Sequence, residues 1–534
     1  MRLAYILTTV LLMTFLSSCN RESPIDKYTE KKILIVGNSN EPAGLDPQIV
    51  TGVIESNIIT SLFEGLCVQH PSDSSGSVPG AAASWEPNQD FTEWTFNLQK
   101  EGKWSDGMPV TTADFLFAYE RILSPDFAAK YSSMLYYIKN AEKFNKGELK
   151  DFSEVGVKAV DDHTLKIYLR APIPFLPDLT KHYTWYPVPK HAVLAMGEMT
   201  ERHTDWTAPE NMVSNGPFKL EIWKFNDRIE VVRNPHYWDA DVVKLNGIRY
   251  LPISNKYTEA RMFFNDQMHV TERLAPEMIE YCRERYPEEL RQEVYLGCDF
   301  MRFNMTLEKF KDVRVRRALS LAIDRQLIID KVTKGGEQPA QGMVPSMGSY
   351  ETVGIVKHNS DQAIALMKDA GYSDSKKLKL TLLTTDRDGA KTYAEAFQDM
   401  WQKILPVEVS IEQREWKTYQ TKMSKLEYEM CTGGWIGDYP DPTTFLDMWK
   451  KGDGNNRTGW TRPEYDSTLG KAELATSPEE RVKLLREAET TLLNDAPIIP
   501  IYWHTSVYLL HDSVKNWHPL PLRNQPYKFI DLQN

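Results

Sequence analysis

Residues 432–442 read Thr-Gly-Gly-Trp-Ile-Gly-Asp-Tyr-Pro-Asp-Pro. Gly433, Gly434 and Gly437 let the backbone lie close to another chain, Trp435 and Tyr439 offer flat apolar walls, and Asp438 and Asp441 set carboxylates among them. This combination suits capture of an extended, amine-bearing ligand, with backbone hydrogen bonds along a strand edge and one carboxylate meeting a positive terminus. An ordinary strand-to-loop junction has the same composition. The surrounding chain has to decide between them.

Catalysis finds little support in the residues. There is no GxxxxGK[ST] phosphate loop, no HExxH, no GxSxG elbow and no Cys or His cluster at ligand spacing. Asp438 and Asp441 imitate an acid–base pair, but a chain with 74 acidic residues contains many such spacings, and the flanking glycines and prolines give no reason for a perturbed pKa. The chain therefore reads as a non-enzyme that needs no cofactor. Past Cys19, the cysteines Cys67, Cys282, Cys298 and Cys431 form no CxxC pair and no zinc-like spacing with histidines, so a metal site is not expected. One disulfide or buried free thiols both fit. His191 and His504 stand alone and read as structural residues.

The elements that must position the stretch belong to a large protein. At 534 residues the chain exceeds one core, so two or three domains are expected; 41% hydrophobic and 26% charged residues describe a folded soluble protein. The net charge of −11 is spread along the chain without a basic stripe, which argues against nucleic acid as a partner.

At the N-terminus, Arg2 precedes an uncharged, largely apolar run from Leu3 to Leu16, followed by Ser17-Ser18-Cys19. A run of about 14 residues is short of the roughly 20 that span a bilayer, so it reads as an export signal. Asn20 to Glu30 is polar, contains Pro24, and reads as a tether. Loss of the signal removes one positive charge, Arg2, and takes the formal charge from −11 to −12.

Further along, Ile33–Val36 reads as a buried strand and Ile54–Leu66 as a packed helix. Trp94–Leu98 alternates as a half-buried strand, and Thr111 or Thr112 caps a helix whose apolar face carries Phe115, Ala118, Tyr119 and Ile122. Asp312 and Asp324 cap helices, and Ser477-Pro478-Glu479-Glu480 is a capping box. Between Asn359 and Gln413 the period switches from helix (Ser360–Ala370, closed by Gly371) to strand (Leu378, Leu380, Leu382), to helix (Tyr393–Leu405), to strand (Val407, Val409, Ile411). That is α/β alternation.

The block Pro79–Trp85, Trp94–Leu98 and Trp104–Phe115 resembles the signature region of bacterial extracytoplasmic solute-binding proteins of the oligopeptide, dipeptide and nickel group. The resemblance continues in order through Asp161–Ile167, Ser214–Phe218, Arg233–Trp238, Asp312–Leu319, Ala322–Arg325 and Ala496–Tyr502, spanning about residues 31–530. It implies an α/β fold of the type II periplasmic-binding-protein kind: lobe I at 31–64, 186–296 and 506–534, an extra domain at 65–185, and lobe II at 297–505, with the lobes joined by a hinge. The first residues then resemble a lipoprotein signal (1–18) cleaved before an acylated Cys19, with a tether over 19–30. The implied function is capture of oligopeptides for an ABC importer, with membrane permease subunits as partners of a lipid-anchored monomer in the cell envelope. The same fold also serves dipeptides, cell-wall peptides, metal chelates and oligosaccharides, and a surface lipoprotein in adhesion or folding assistance is the rival from another class.

Residue by residue, the resemblance puts Asp438 against the ligand's α-amino group, and the backbone of Gly434, Trp435 and Ile436 beside the peptide. Gly52 and Val53 form the opposing edge, while Tyr131 and Tyr502 face the ligand; helix packing for Tyr131 and core for Tyr502 are the structural alternatives. Asp441 falls back to a turn residue beside Pro442. Where relatives place basic side chains for the ligand carboxylate, this chain has Thr333, Ala390, Met423 and Thr432, and it has Gly297 and Ile436 where some carry a disulfide. Lys334, Arg387, Lys391 and Lys425 are the nearby cations that can substitute, unless the ligand is longer, amidated, cyclised or otherwise unusual.

Overall fold

The computed structural model describes residues 23–73, 76–386, 389–475 and 477–533, so the signal segment, Cys19 and Arg387 lie outside it. Part of the expected tether is folded. Ser23 caps helix α1 (Pro24–Glu30), which buries Ile25 and Thr29 and bonds Thr29 Oγ1 to His269 Nε2 at 3.1 Å. Apolar Ile25 and the capping Ser23 outweigh the polar composition that had marked this stretch as loose.

Along the chain follow β1 (Ile33–Gly37), helix α2 (Val53–Leu62) and the hairpin strands β2 (Ala82–Pro87) and β3 (Glu93–Leu98). Helix α3 (Thr112–Leu123) begins where Thr111 N–H donates to the Asp114 carboxylate, and β4 (Val157–Asp161) and β5 (Thr164–Tyr168) complete an antiparallel sheet ordered β2-β3-β5-β4. Strands β6 (Phe218–Lys224), β7 (Arg228–Arg233) and β8 (Gly247–Leu251) then form a second sheet, β1-β8-β7-β6, with β1 parallel to β8. One hydrophobic core runs beneath both sheets, from Leu34 and Ile248 to Phe96 and Leu165.

The third unit contains β9 (Leu290–Phe303), α4 (Val313–Leu321), α5 (Ser360–Asp369), β10 (Leu378–Thr385), α6 (Ala390–Ile404) and β11 (Val407–Arg414). After it come α7 (Trp416–Ser424), β12 (Met430–Ile436), α8 (Pro478–Asp495) and β13 (Ile498–Leu509). Its sheet, completed by the short strand Gln338–Pro339, runs in the order 338–339, β13, β9, β12, β10, β11. Asp312 accepts from Arg314 N–H and Asp324 from Leu327 N–H as expected, and Gly371 follows α5 at φ +85°; of the expected capping box only the Ser477 half, accepting from Glu480 N–H, is present among the described residues.

Helix α2 ends at Leu62, four residues short of expectation. The cause is tertiary: Gly216 N–H takes the Leu62 carbonyl at 2.8 Å, and the Asn215 side chain bonds both N–H and C=O of Glu64. Strands β9 and β13 are long enough to serve two units. Val507 and Leu509 pack with Ile35 and Phe263 of the first region, while Ile499 and Ile501 pack with Leu319 and Trp401 of the third. Between those halves the β9–β13 ladder loses register, from Val294 to Cys298. Among the described residues, Cys67, Cys282, Cys298 and Cys431 are buried free thiols.

Candidate functional site

A cavity of about 1310 Å³ lies where the three units meet. Strand β12 forms one wall because its two edges are unequally occupied. One edge pairs with β9 over the whole strand, Met430↔Phe303 to Ile436↔Gly297, whereas pairing with β10 reaches only Met430 and Cys431. Among the described residues, Gly433 to Ile436 thus keep one edge open beside the cavity, a template for another extended chain. Gly434 is exposed there, and a Cβ on it would meet its nearest protein atoms at 3.5 Å, so packing alone does not demand glycine.

Gly434, Trp435, Ile436 and Asp438 all line this cavity, as do Gly52, Val53, Tyr131 and Tyr502 from the facing elements. The Asp438 backbone is fixed by its N–H to Thr444 Oγ1 at 2.9 Å. Among the described residues its carboxylate has no ion-pair partner, and burial alone raises its pKa from 3.8 to about 7. Tyr131 faces it: burial first, and the Asp438 charge second, hold the phenol above its usual range. Gly52 and Val53 open α2 opposite, where the first N–H groups of the helix lack intrahelical acceptors and Val53 is 42% exposed.

Tyr502 does both jobs weighed for it, packing into the core around Ile501 and lining the cavity. Beside it the Tyr393 hydroxyl donates to Asp299, whose carboxyl burial lifts to about 7. His504 also lines the cavity, its ring 5.4 Å from that of Tyr502, and burial drops its pKa to about 3, so it is a neutral wall group. His191 bonds Asp106 at 2.7 Å on the surface.

Asp441 is more than a turn residue. It caps the following helical turn through Thr443 N–H and takes both nitrogens of Arg481 at 2.8 Å, a buried bidentate pair that holds the loop after Asp438 onto α8. Gly297 sits directly across from Ile436, and a Cβ on Gly297 would lie 2.5 Å from Ile436 Cδ1. One large and one absent side chain share this space.

Thr333, Ala390, Met423 and Thr432 all line the cavity, so the positions singled out for basic residues are at the site and uncharged. The expected substitutes Lys334, Lys391 and Lys425 do not line it; Lys391 lies 3.6 Å from Glu395 on its own helix. The cations that do include Arg302 and Arg457, which sequence reasoning missed. Strand register brings Arg302 in, since it pairs across β9–β12 with Cys431; Arg457 comes from the loop before residue 463.

Two sheet-bearing regions joined by paired crossing strands, with a cavity between them, define a solute-binding protein of the type II periplasmic kind. This chain belongs to the bacterial extracellular solute-binding proteins, family 5, whose Middle region matches residues 77–457. It is 34% identical over 505 residues to the periplasmic oligopeptide-binding protein OppA of Salmonella typhimurium, covering 92% of this chain and 90% of that one. Among solved structures it resembles Haemophilus influenzae OppA in complex with the peptide RPPGFSPFR (TM-score 0.83, 32% identity, 95% and 99% of the chains covered). It is equally similar to the Escherichia coli murein tripeptide-binding protein MppA (TM-score 0.83, 32% identity, 93% and 98% covered). These relatives are binding proteins.

Proposed function

We propose that this protein is the peptide-binding subunit of an ABC importer. One observation carries the reading: a carboxylate without a cation, Asp438, stands at the end of an open strand edge within a large cavity. A carboxylate taken from water without a partner is costly, and the ammonium of a peptide supplies the missing charge. The backbone of Gly434, Trp435 and Ile436 then bonds the peptide main chain on one side, with Gly52 and Val53 opposite and Tyr131 and Tyr502 as walls. Main-chain bonding makes affinity largely independent of side chains.

In this reading, lobe I (31–64, 186–296, 506–534) with the extra domain (65–185) closes on lobe II (297–505). The hinge lies where β9 and β13 lose register, near Val294–Cys298. Cys19 carries the lipid anchor, and the loaded monomer docks on the permease. Among the described residues no helix is long and apolar enough to cross a membrane.

Isothermal titration calorimetry with a mixed peptide pool tests the reading directly. Tight binding of free peptides is expected, weakened by Asp438→Asn and by N-acetylation of the ligand. Binding to a nickel chelate, haem or a sugar, with none to any peptide, would overturn it.

A further inference from the structure

The end of the cavity away from Asp438 holds a cation, Arg302, with no direct ion pair among the described residues; the Asp299 carboxyl acts on it only from beyond ion-pair distance. Arg302 is 4% exposed, and its guanidinium lies 4.5 Å from the Phe300 ring centroid and 5.8 Å from that of Trp449. Its Nε is buried without a hydrogen-bond partner, and no carboxylate pairs with it among the described residues. Gly433 makes room for it, since a Cβ there would fall 2.1 Å from Arg302 Nη1. Among the described residues Arg457, which also lines this end, hydrogen-bonds the neutral Gln420 Oε1 at 2.6 Å and the Gly454 carbonyl at 3.4 Å, with the Asp453 charge a lesser influence. Burial first, and then the like charge of Arg302, hold Arg457 below the usual arginine range. Ring faces only partly compensate a desolvated guanidinium, and a second cation nearby worsens the balance. An anion that enters with the ligand restores it, and a planar carboxylate matches the guanidinium fork.

We propose that Arg302, seconded by Arg457, receives the carboxylate of the ligand whose amine rests on Asp438. This rests on the peptide-binding reading and adds the residues that read the far end of the peptide. The guanidinium reaches the cavity from β9, through the space that Gly433 leaves open, while Thr432 on β12 itself is uncharged. Gly433 and Asp438 are separated by roughly 16 Å if the chain between them is extended. Allowing about 3 Å for an ion pair at each end leaves room for an extended peptide of about three residues.

Calorimetry of the protein with Ala-Ala-Ala, Ala-Ala-Ala-amide and Ala-Ala-Glu-amide tests the proposal in wild type, Arg302→Gln and Arg457→Gln. The free acid should bind wild type about 30-fold or more tighter than the amide, the range for removing one member of a buried charge pair. Arg302→Gln should collapse that ratio towards one, and Arg457→Gln should reduce it. A purely structural arginine would weaken all peptides together and leave the ratio intact, which would overturn the proposal. Recovery of affinity by Ala-Ala-Glu-amide would support it and show that a side-chain carboxylate also serves. Should Arg302→Gln fail to fold, an unchanged ratio in Arg457→Gln overturns the proposal and a reduced one upholds it. Equal binding of acid and amide to wild type would overturn this inference alone, whereas no binding of any peptide would overturn the peptide reading with it.

Discussion

In the proposed binding mode, Asp438 couples ligand capture to a proton. With its pKa near 7 in the ligand-free protein, the carboxyl is largely protonated at pH 6, and an ammonium beside it favours the ionised form. Peptide binding at pH 6 should therefore release close to one proton, and affinity should rise by up to about tenfold per pH unit between pH 5 and 7 before levelling off. Calorimetry in buffers of different ionisation enthalpy measures both; in Asp438→Asn the proton release should vanish. The same shift bears on stability. A carboxyl whose folded pKa, about 7, exceeds its ordinary 3.8 holds its proton more tightly when folded. That preference is fully present below pH about 4 and is lost as pH rises through 7. Asp438→Asn should thus leave the ligand-free stability unchanged at pH 4 and raise it at pH 8 by about 2 kcal/mol once the water reaching the cavity is allowed for, read as a higher Tm. Asp438 was singled out in sequence through the resemblance of Gly434-Trp435-Ile436-Gly437-Asp438-Tyr439, a local motif that is readable without the fold, whereas the composition of the stretch also fitted an ordinary strand-to-loop junction. The role of Asp441, three residues on, was not readable, because its partner Arg481 comes from α8.

Glycines separate the elements that build the site from those that serve it. Gly216 lies where the loop before β6 meets the end of α2, and a Cβ there would stand 2.6 Å from the Leu62 carbonyl oxygen and 2.9 Å from Phe63 N, both backbone atoms that cannot step aside. Gly216→Ala should therefore cost about 1–3 kcal/mol, read as a lower Tm in calorimetric melts, with peptide selectivity unchanged. Gly434→Ala adds a Cβ whose nearest protein contacts are at an ordinary 3.5 Å. It should leave stability within about 0.5 kcal/mol of wild type, with Tm nearly unchanged, while weakening every peptide, because the methyl group occupies the proposed ligand's approach. Equal effects of the two substitutions on Tm would refute this division. At this scale the periodicity of the chain disclosed α3, α4, α5 and β10, whose buried faces are repeated every few residues. It disclosed neither the end of α2 nor the placing of Arg302, because the first depends on Asn215 and Gly216 and the second on the β9–β12 register.

Tyr439, next to Asp438, ties the wall of the cavity to the antiparallel domain. Its hydroxyl meets that of Tyr137 at 2.8 Å and Thr443 Oγ1 at 3.2 Å, and its ring stacks on Phe175 with centroids 5.8 Å apart and planes 9° apart. Arg170 Nε reaches Glu473 at 2.7 Å nearby, and Arg481 lies 5.1 Å from the Phe175 centroid, so several contacts bridge the same two bodies. In the proposed closure, separation of lobe II from the extra domain must break these contacts, which places the free energy of closure partly on the residue adjoining Asp438, the carboxylate proposed to bind the amine. A peptide on Asp438 and the Tyr439 clamp then favour the same closed arrangement, each by its differential interaction with closed and open forms. Tyr439→Phe keeps the ring stack and removes the hydroxyl bonds, a loss of about 1 kcal/mol. Affinity should fall about fivefold for all peptides alike, with the ratio of free to N-acetylated binding preserved, because the clamp acts on closure and not on the amine. Small-angle scattering supplies the independent check: saturating peptide should shrink the radius of gyration of wild type, and at the same subsaturating peptide concentration the variant should remain more open. An unchanged radius on loading would rule out hinge closure, and a change in the acetylation ratio would place Tyr439 in direct contact with the ligand.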